Sequence, residues 1–188
     1  MSNPPKIDRR SFAIGTAAVG AGLTLGLKIP VGTSVVRAAD GSPEINAWVV
    51  IRPDDTVVVR VARSEMGQGT LTGLAQMVAE ELECDWSKVT TEYPTPGQSV
   101  ARKRPWGNFS TGGSRGIRES NEYVRKGGAT ARVMLVQAAA NAWGVPAAEC
   151  SAANSVITHK PTGRTTSYGK VAESAAQLTP PADVPLKD

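Results

Sequence analysis

Apolar residues recur in two rhythms along this chain, and the rhythms divide it into elements. Leu71, Leu74, Ala75, Val78, Ala79 and Leu82 lie three or four residues apart, the spacing of one helical face. They predict a helix from about Thr70 to Glu83, with Glu80, Glu81 and Glu83 mostly off that face. A second stripe, Val124, Gly128, Ala131, Leu135, Ala138 and Ala142, predicts a long helix from Gly116 to Trp143. Gly127 and Gly128 each destabilise a helix by about 1 kcal/mol relative to alanine. Two of them inside one stripe predict close packing against another element. Gly144-Val145-Pro146 ends the helix.

Elsewhere the residues are β-branched. Trp48–Ile51 and Thr56–Val61 flank the turn residues Pro53-Asp54-Asp55, so Ala47 to Ala62 predicts a β-hairpin. Lys88 to Tyr93 predicts a third strand, and Gln98 to Gly113 a polar loop. After a short turn near Ala147 to Cys150, Ser155–His159 and Arg164–Thr166 predict a second hairpin. Ser167 stands where it would cap a last helix, Tyr168 to Ala176. The predicted fold class is α+β: a small, mostly antiparallel sheet with two main helices on one face.

Of the 188 residues, 40% are apolar and 20% charged, the balance of a globular domain. The net charge of +4 suggests an anionic partner until its position is read. Residues 1–38 hold Lys6, Arg9, Arg10, Lys28 and Arg37 against Asp8, and the rest of the chain carries 16 basic and 16 acidic residues. The basicity therefore belongs to the N-terminal segment, and no nucleic-acid partner follows from it. That segment has a short polar start, Arg9-Arg10-Ser11-Phe12, an apolar stretch from Ala13 to Leu27, and the small-residue end Val36-Arg37-Ala38. The order is that of a secretory signal, with the paired arginines of the twin-arginine type. The apolar stretch falls short of the roughly 20 residues of a comfortable membrane span. Cleavage after the small residues and retention as an uncut anchor both fit. Export to the periplasm, or to the periplasmic face of the cytoplasmic membrane, is expected. The division is 1–38 signal, 39–178 domain, and 179–188 a Pro-rich connecting tail.

Two glycine loops carry candidate chemistry. In Gly67-Gln68-Gly69-Thr70, glycines before a helix let backbone N–H groups approach a ligand, and the helix start attracts negative charge. Gln68 adds an amide suited to a heterocycle or an oxo group. Thr111-Gly112-Gly113-Ser114-Arg115 repeats the logic, with Arg115 and Arg118 as phosphate-pairing guanidinium groups. From Arg102 to Arg132 there are eight basic residues and two acidic ones, so a solvated basic face is the competing reading. No Gly-Lys-Ser/Thr follows either loop, which excludes a Walker loop. His159, the only histidine, has no nucleophile motif beside it and reads as structural or exposed. Cys84 and Cys150 form no metal or redox spacing; buried thiols or an export-dependent disulfide both remain open.

Glu65-Met66-Gly67-Gln68-Gly69, running through Leu71 to Glu81-Leu82-Glu83-Cys84-Asp85-Trp86, resembles the molybdopterin-binding large subunits of the xanthine dehydrogenase and aldehyde oxidase family. The resemblance is to its exported branch, which includes the isoquinoline 1-oxidoreductase beta subunit and membrane-associated aldehyde dehydrogenases. Gly113-Ser114-Arg115, the Ala-rich helix to Trp143-Gly144-Val145-Pro146, and Cys150 to Ala172 are similar in order and spacing. The resemblance implies part of a larger molybdenum-cofactor-binding domain. Its cofactor would be molybdopterin cytosine dinucleotide, with Gly67, Gln68, Gly69 and Thr70 near the molybdenum end. Gly112, Gly113, Ser114 and Arg115 would contact phosphates or the nucleotide. It implies oxidation of an aldehyde or N-heterocycle with water as oxygen source. A small iron–sulfur subunit carrying the iron–sulfur clusters, a cytochrome c subunit and the remainder of the large subunit are the implied partners. Family members are several times longer, and their base glutamate matches nothing here. No catalytic or metal-binding residue is therefore assigned, and the chain reads as an N-terminal portion, truncated or split. The alternatives are a non-catalytic fragment and an exported anion-binding domain without activity of its own.

Overall fold

β-branched residues that are buried on both faces make the first two strands of the first sheet. The computed structural model describes residues 36–187; the signal-like segment up to residue 35 lies outside them. Strand β1 (Val49–Ile51) runs antiparallel to β2 (Val57–Arg60), with Val50 opposite Val58, and every residue of both is buried. The turn between them is made by side chains. Asp54 accepts the Thr56 N–H at 2.9 Å, and Asp55 adopts the left-handed conformation. Strand β3 (Val89–Glu92) joins β2 in parallel, Val57 opposite Val89. A parallel neighbour needs a crossover, and helix α1 (Thr70–Leu82) supplies it.

The expected single sheet is two. Strands β4 (Cys150–Ala153), β5 (Val156–His159) and β6 (Arg164–Ser167) form a separate antiparallel sheet. β4 escaped prediction because Cys-Ser-Ala-Ala has no strand-like alternation. Helix α2 (Pro96–Ala101) overlaps the start of the expected polar loop and begins with a capping box between Thr95 and Gln98.

The long helix is also broken. A turn, α3 (Arg115–Arg118), precedes helix α4 (Asn121–Trp143). Ser120, fully buried at the break, has a hydroxyl that accepts from Arg63 at 3.1 Å and from the Tyr123 hydroxyl. Helix α5 (Tyr168–Ala175) follows β6. Ser167 occupies its N-cap position, but its hydroxyl makes no capping bond. Asp55, from the β1–β2 turn, accepts the Gly169 N–H at 2.7 Å instead. A carboxylate brought by the fold has taken the place of the local hydroxyl.

α1 and α4 pack together over one core with β1 and β2. Leu74, Val78 and Leu82 meet Val124, Ala131, Leu135 and Ala138 there. Burying each leucine stabilises the fold by about 1.5–3 kcal/mol. The helical glycines mark the closest approach. A Cβ on Gly128 would stand 2.5 Å from the Val78 carbonyl oxygen, and one on Gly127 would stand 2.9 Å from the Trp48 ring.

Glu81 departs from expectation, being only 1% exposed. Arg125 donates to its carboxylate at 2.8 Å, and the Lys187 backbone N–H at 3.1 Å. The tail after Leu178 thus returns to the domain, burying Val184 and tying Lys187 to Glu80 at 2.7 Å.

Candidate functional site

The first glycine loop connects β2 to α1. Gly67 (φ 93°) and Gly69 (φ 77°) take left-handed angles that a side chain would strain. Three N–H groups at this helix start meet an anion, and the anion is the chain's own. The Glu65 carboxylate accepts from Gly67 at 2.7 Å, Gly69 at 3.0 Å and Leu71 at 3.0 Å. The N–H donors of Leu71 and Gly69 hold that carboxyl below the ordinary glutamate range. Gln68 is oriented as well: its carbonyl accepts the Met66 N–H at 2.6 Å and its amide donates to the Ser64 carbonyl at 2.7 Å. One lone pair and one N–H of its amide stay available on an exposed side chain.

The second loop enters α3. Gly113 (φ 59°) and Ser114 (φ 55°) are both left-handed. Arg115 folds back, donating to the Gly112 carbonyl at 3.2 Å and the Ser110 hydroxyl at 3.0 Å. Among the described residues no carboxylate closes this loop as Glu65 closes the first. The N–H groups of Gly113 and Ser114 meet no acceptor among the described residues.

The two loops meet. A Cβ on Gly116 would lie 3.0 Å from the Thr70 hydroxyl, so glycine is what lets α3 sit against the start of α1. Between the loops is a cleft of about 450 Å³. Gln68, Thr70, Gly112, Gly113, Ser114 and Arg115 line it, while Gly67 and Gly69 shape the first loop without lining the cleft. A larger cleft, about 550 Å³, lies at the other end of α1, beside Trp86, Asn154 and Lys187. Its carboxylates Glu80 and Glu83 face Lys187, and neither glycine loop lines it.

Arg63 escaped the sequence reading, and periodicity could not have shown it. It is 4% exposed and donates to Ser120, to Asn108 at 3.1 Å and to the Ser110 carbonyl. The neighbouring Ser64 N–H donates to the Thr111 hydroxyl at 2.9 Å. Glu65 had a local signal, a carboxylate two and four residues before glycine N–H groups.

The basic stretch is mostly neutralised by the protein itself. Arg102 pairs with Glu44 at 2.8 Å, Arg125 with Glu81 at 2.6 Å, Lys126 with Glu122 at 2.7 Å, and Arg132 with Glu83 at 3.5 Å. A general anion-binding helix face is therefore not what the fold presents. His159 is buried between Thr162 and Glu149, at 2.7 and 2.8 Å, in a structural role. Cys84 and Cys150 are free thiols, and burial pushes Cys84 up to about 12.

The donor set fits an extended polar ligand bearing phosphate: open N–H groups at Gly113 and Ser114, the Ser114 hydroxyl, and Arg118 exposed one turn on. Comparison with known proteins shows the family. A family model described as the molybdopterin cofactor-binding domain matches residues 5–187. The chain belongs to that family. It is 31% identical over 171 residues to the membrane-bound aldehyde dehydrogenase [pyrroloquinoline-quinone] of Gluconacetobacter polyoxogenes, covering 88% of this chain and 21% of that protein. It is 30% identical over 175 residues to the isoquinoline 1-oxidoreductase subunit beta of Brevundimonas diminuta, covering 90% and 22%. The chain thus spans about a fifth of the length of these curated relatives. Among solved structures, quinoline 2-oxidoreductase from Pseudomonas putida 86 shares the fold, with a TM-score of 0.50 and 18% identity. That match covers 73% of this chain and 17% of that one.

Proposed function

We propose that this chain supplies two cofactor-holding loops to the large subunit of an exported molybdenum-dependent oxidoreductase acting on aldehydes or N-heterocycles. The observation that carries the reading is the convergence of Gln68 and Thr70 with Gly112, Gly113, Ser114 and Arg115 on one cleft. The names of the relatives, an aldehyde dehydrogenase and an isoquinoline oxidoreductase, support the substrate classes.

In this reading the cofactor is molybdopterin cytosine dinucleotide. The N–H groups of Gly113 and Ser114 hold its phosphates, and Arg115 and Arg118 balance their charge. Gln68 and Thr70 present amide and hydroxyl groups towards the pterin and metal end, while Gly67 and Gly69 shape the turn. When bound, the cofactor supplies oxidation with water as oxygen source. This chain's residues bind and orient it, and none is given a catalytic role. A small subunit carrying iron–sulfur clusters and a cytochrome c subunit would be the partners that take up the electrons. Export by the twin-arginine route to the periplasm completes the proposal, motivated by Arg9-Arg10-Ser11-Phe12.

The test is molybdenum and cytidine nucleotide content of the full chain, purified with its co-purifying proteins from a host that makes the cofactor. Both in proportion to protein, with a large partner present, support the reading. Protein carrying neither would refute it. Fractionation in a host lacking the twin-arginine translocase tests export: the precursor should stay in the cytoplasm.

A further inference from the structure

We propose that Arg63 is a positioning residue that couples the two loops, so that the geometry of one depends on the other. The functional consequence rests on the reading of the cleft as the cofactor site; the coupling itself rests on geometry alone. Arg63 lies three residues past the end of β2 and is 4% exposed, a burial that an arginine tolerates only with partners. Its guanidinium reaches Asn108 and the Ser110 carbonyl, which open the second loop, and Ser120, at the break before α4. Glu119 lies 3.7 Å away on the same side. Both ends of the second loop are therefore pinned to one side chain.

The next two residues belong to the first loop. The Ser64 N–H donates to Thr111 at 2.9 Å, and the Ser64 carbonyl accepts the Gln68 amide at 2.7 Å. Glu65 then gathers Gly67, Gly69 and Leu71. A chain of bonds runs without a gap from Ser110 and Ser120 through Arg63 and Ser64 to Gln68 and α1. A planar guanidinium with five donors satisfies several acceptors in one geometry, which a lysine ammonium cannot reproduce. Replacement by lysine keeps the charge and loses the fork.

Amide hydrogen exchange of the full chain, prepared without cofactor, tests the coupling directly. In Arg63→Lys, exchange across 110–119 and across 64–71 should both accelerate about tenfold or more, as expected for lost charged hydrogen bonds. The core amides of Val78 to Leu82 should keep their wild-type rates. Acceleration confined to 110–119, or in neither segment, would overturn the coupling. Thr111→Val removes the Ser64 acceptor without disturbing the buried guanidinium, and it decides the matter if the lysine variant does not fold. It should accelerate the same two segments to a smaller degree; wild-type rates in 64–71 would count against the proposal. Molybdenum content of wild-type protein is read separately. Its absence would remove the cofactor reading and leave the exchange result to judge Arg63 alone.

Discussion

Ser64–Thr70 and Ser110–Arg115 are made of the same ingredients: glycines at positive φ, a hydroxyl residue, and a helix start immediately after. They differ in who holds the N–H groups. In the first loop Glu65 takes three of them, the Leu71 N–H of the first helical turn included. In the second, the N–H groups of Gly113 and Ser114 have no acceptor among the described residues. A glycine loop before a helix is thus a potential anion site only where the chain has not provided its own anion. The first loop is suited to presenting Gln68 from a rigid turn, the second to receiving phosphate. Each difference can be pressed experimentally.

The largest effect is expected at the framework under the first loop. Gly128→Ala places a methyl 2.5 Å from the Val78 carbonyl, on backbone that cannot swing away. α1 and α4 must separate, at a cost of about 1–3 kcal/mol or more. Thermal unfolding should show a lower midpoint, and an unchanged midpoint would mean that the helices approach less closely than described.

Glu65 comes next. Glu65→Ala should expose the N–H groups of Gly67, Gly69 and Leu71 to fast exchange while leaving Gly113 and Ser114 unchanged. The wild-type protein should show the same contrast with pH. Because the folded carboxyl sits below its unfolded value, its contribution is complete above the ordinary glutamate range. It is lost as pH falls through the depressed folded value. First-loop protection that persists unchanged through that acid range would remove Glu65 as its clamp.

Ser114 gives a smaller effect of opposite sign. A left-handed non-glycine residue costs about 1–2 kcal/mol, against about 0.4–1 kcal/mol for the extra unfolded freedom of glycine. Ser114→Gly should therefore stabilise the fold slightly, read as a small rise in unfolding midpoint. A fall would show that the serine side chain contributes more than its strain.

The smallest effect is weak anion binding. Titration with inorganic pyrophosphate should slow exchange most at residues 112–118, with any protection passed to 67–71 through Arg63 and Ser64 smaller. Protection greater at the first loop, or confined to it, would reverse the comparison.

Much of this arrangement was legible in the chain. The stripe from Leu71 to Leu82 defines α1, and Gly127 and Gly128 announced the close approach of α4. Both loops were found from glycine and hydroxyl residues before an apolar run. The break at Ser120 was not, because a buried serine at a helix junction looks like any other polar residue until Arg63 and Tyr123 reach it. Glu81 was placed outside the apolar face for a similar reason: its burial depends on Arg125 and Lys187, which lie far along the chain.

The sequence by itself determined what repeats locally: the helical faces, the β-branched strands, the turn chemistry at Pro53-Asp54-Asp55, and the two glycine loops. Tertiary structure alone decided that β3 runs parallel to β2, that the basic residues of α4 are paired, and that the two loops share a cleft. Periodicity and turn residues act over a few neighbours and leave a mark in the order of residues. Hydrogen-bond partners and ion pairs between distant segments depend on a separation in space that only the packed chain sets.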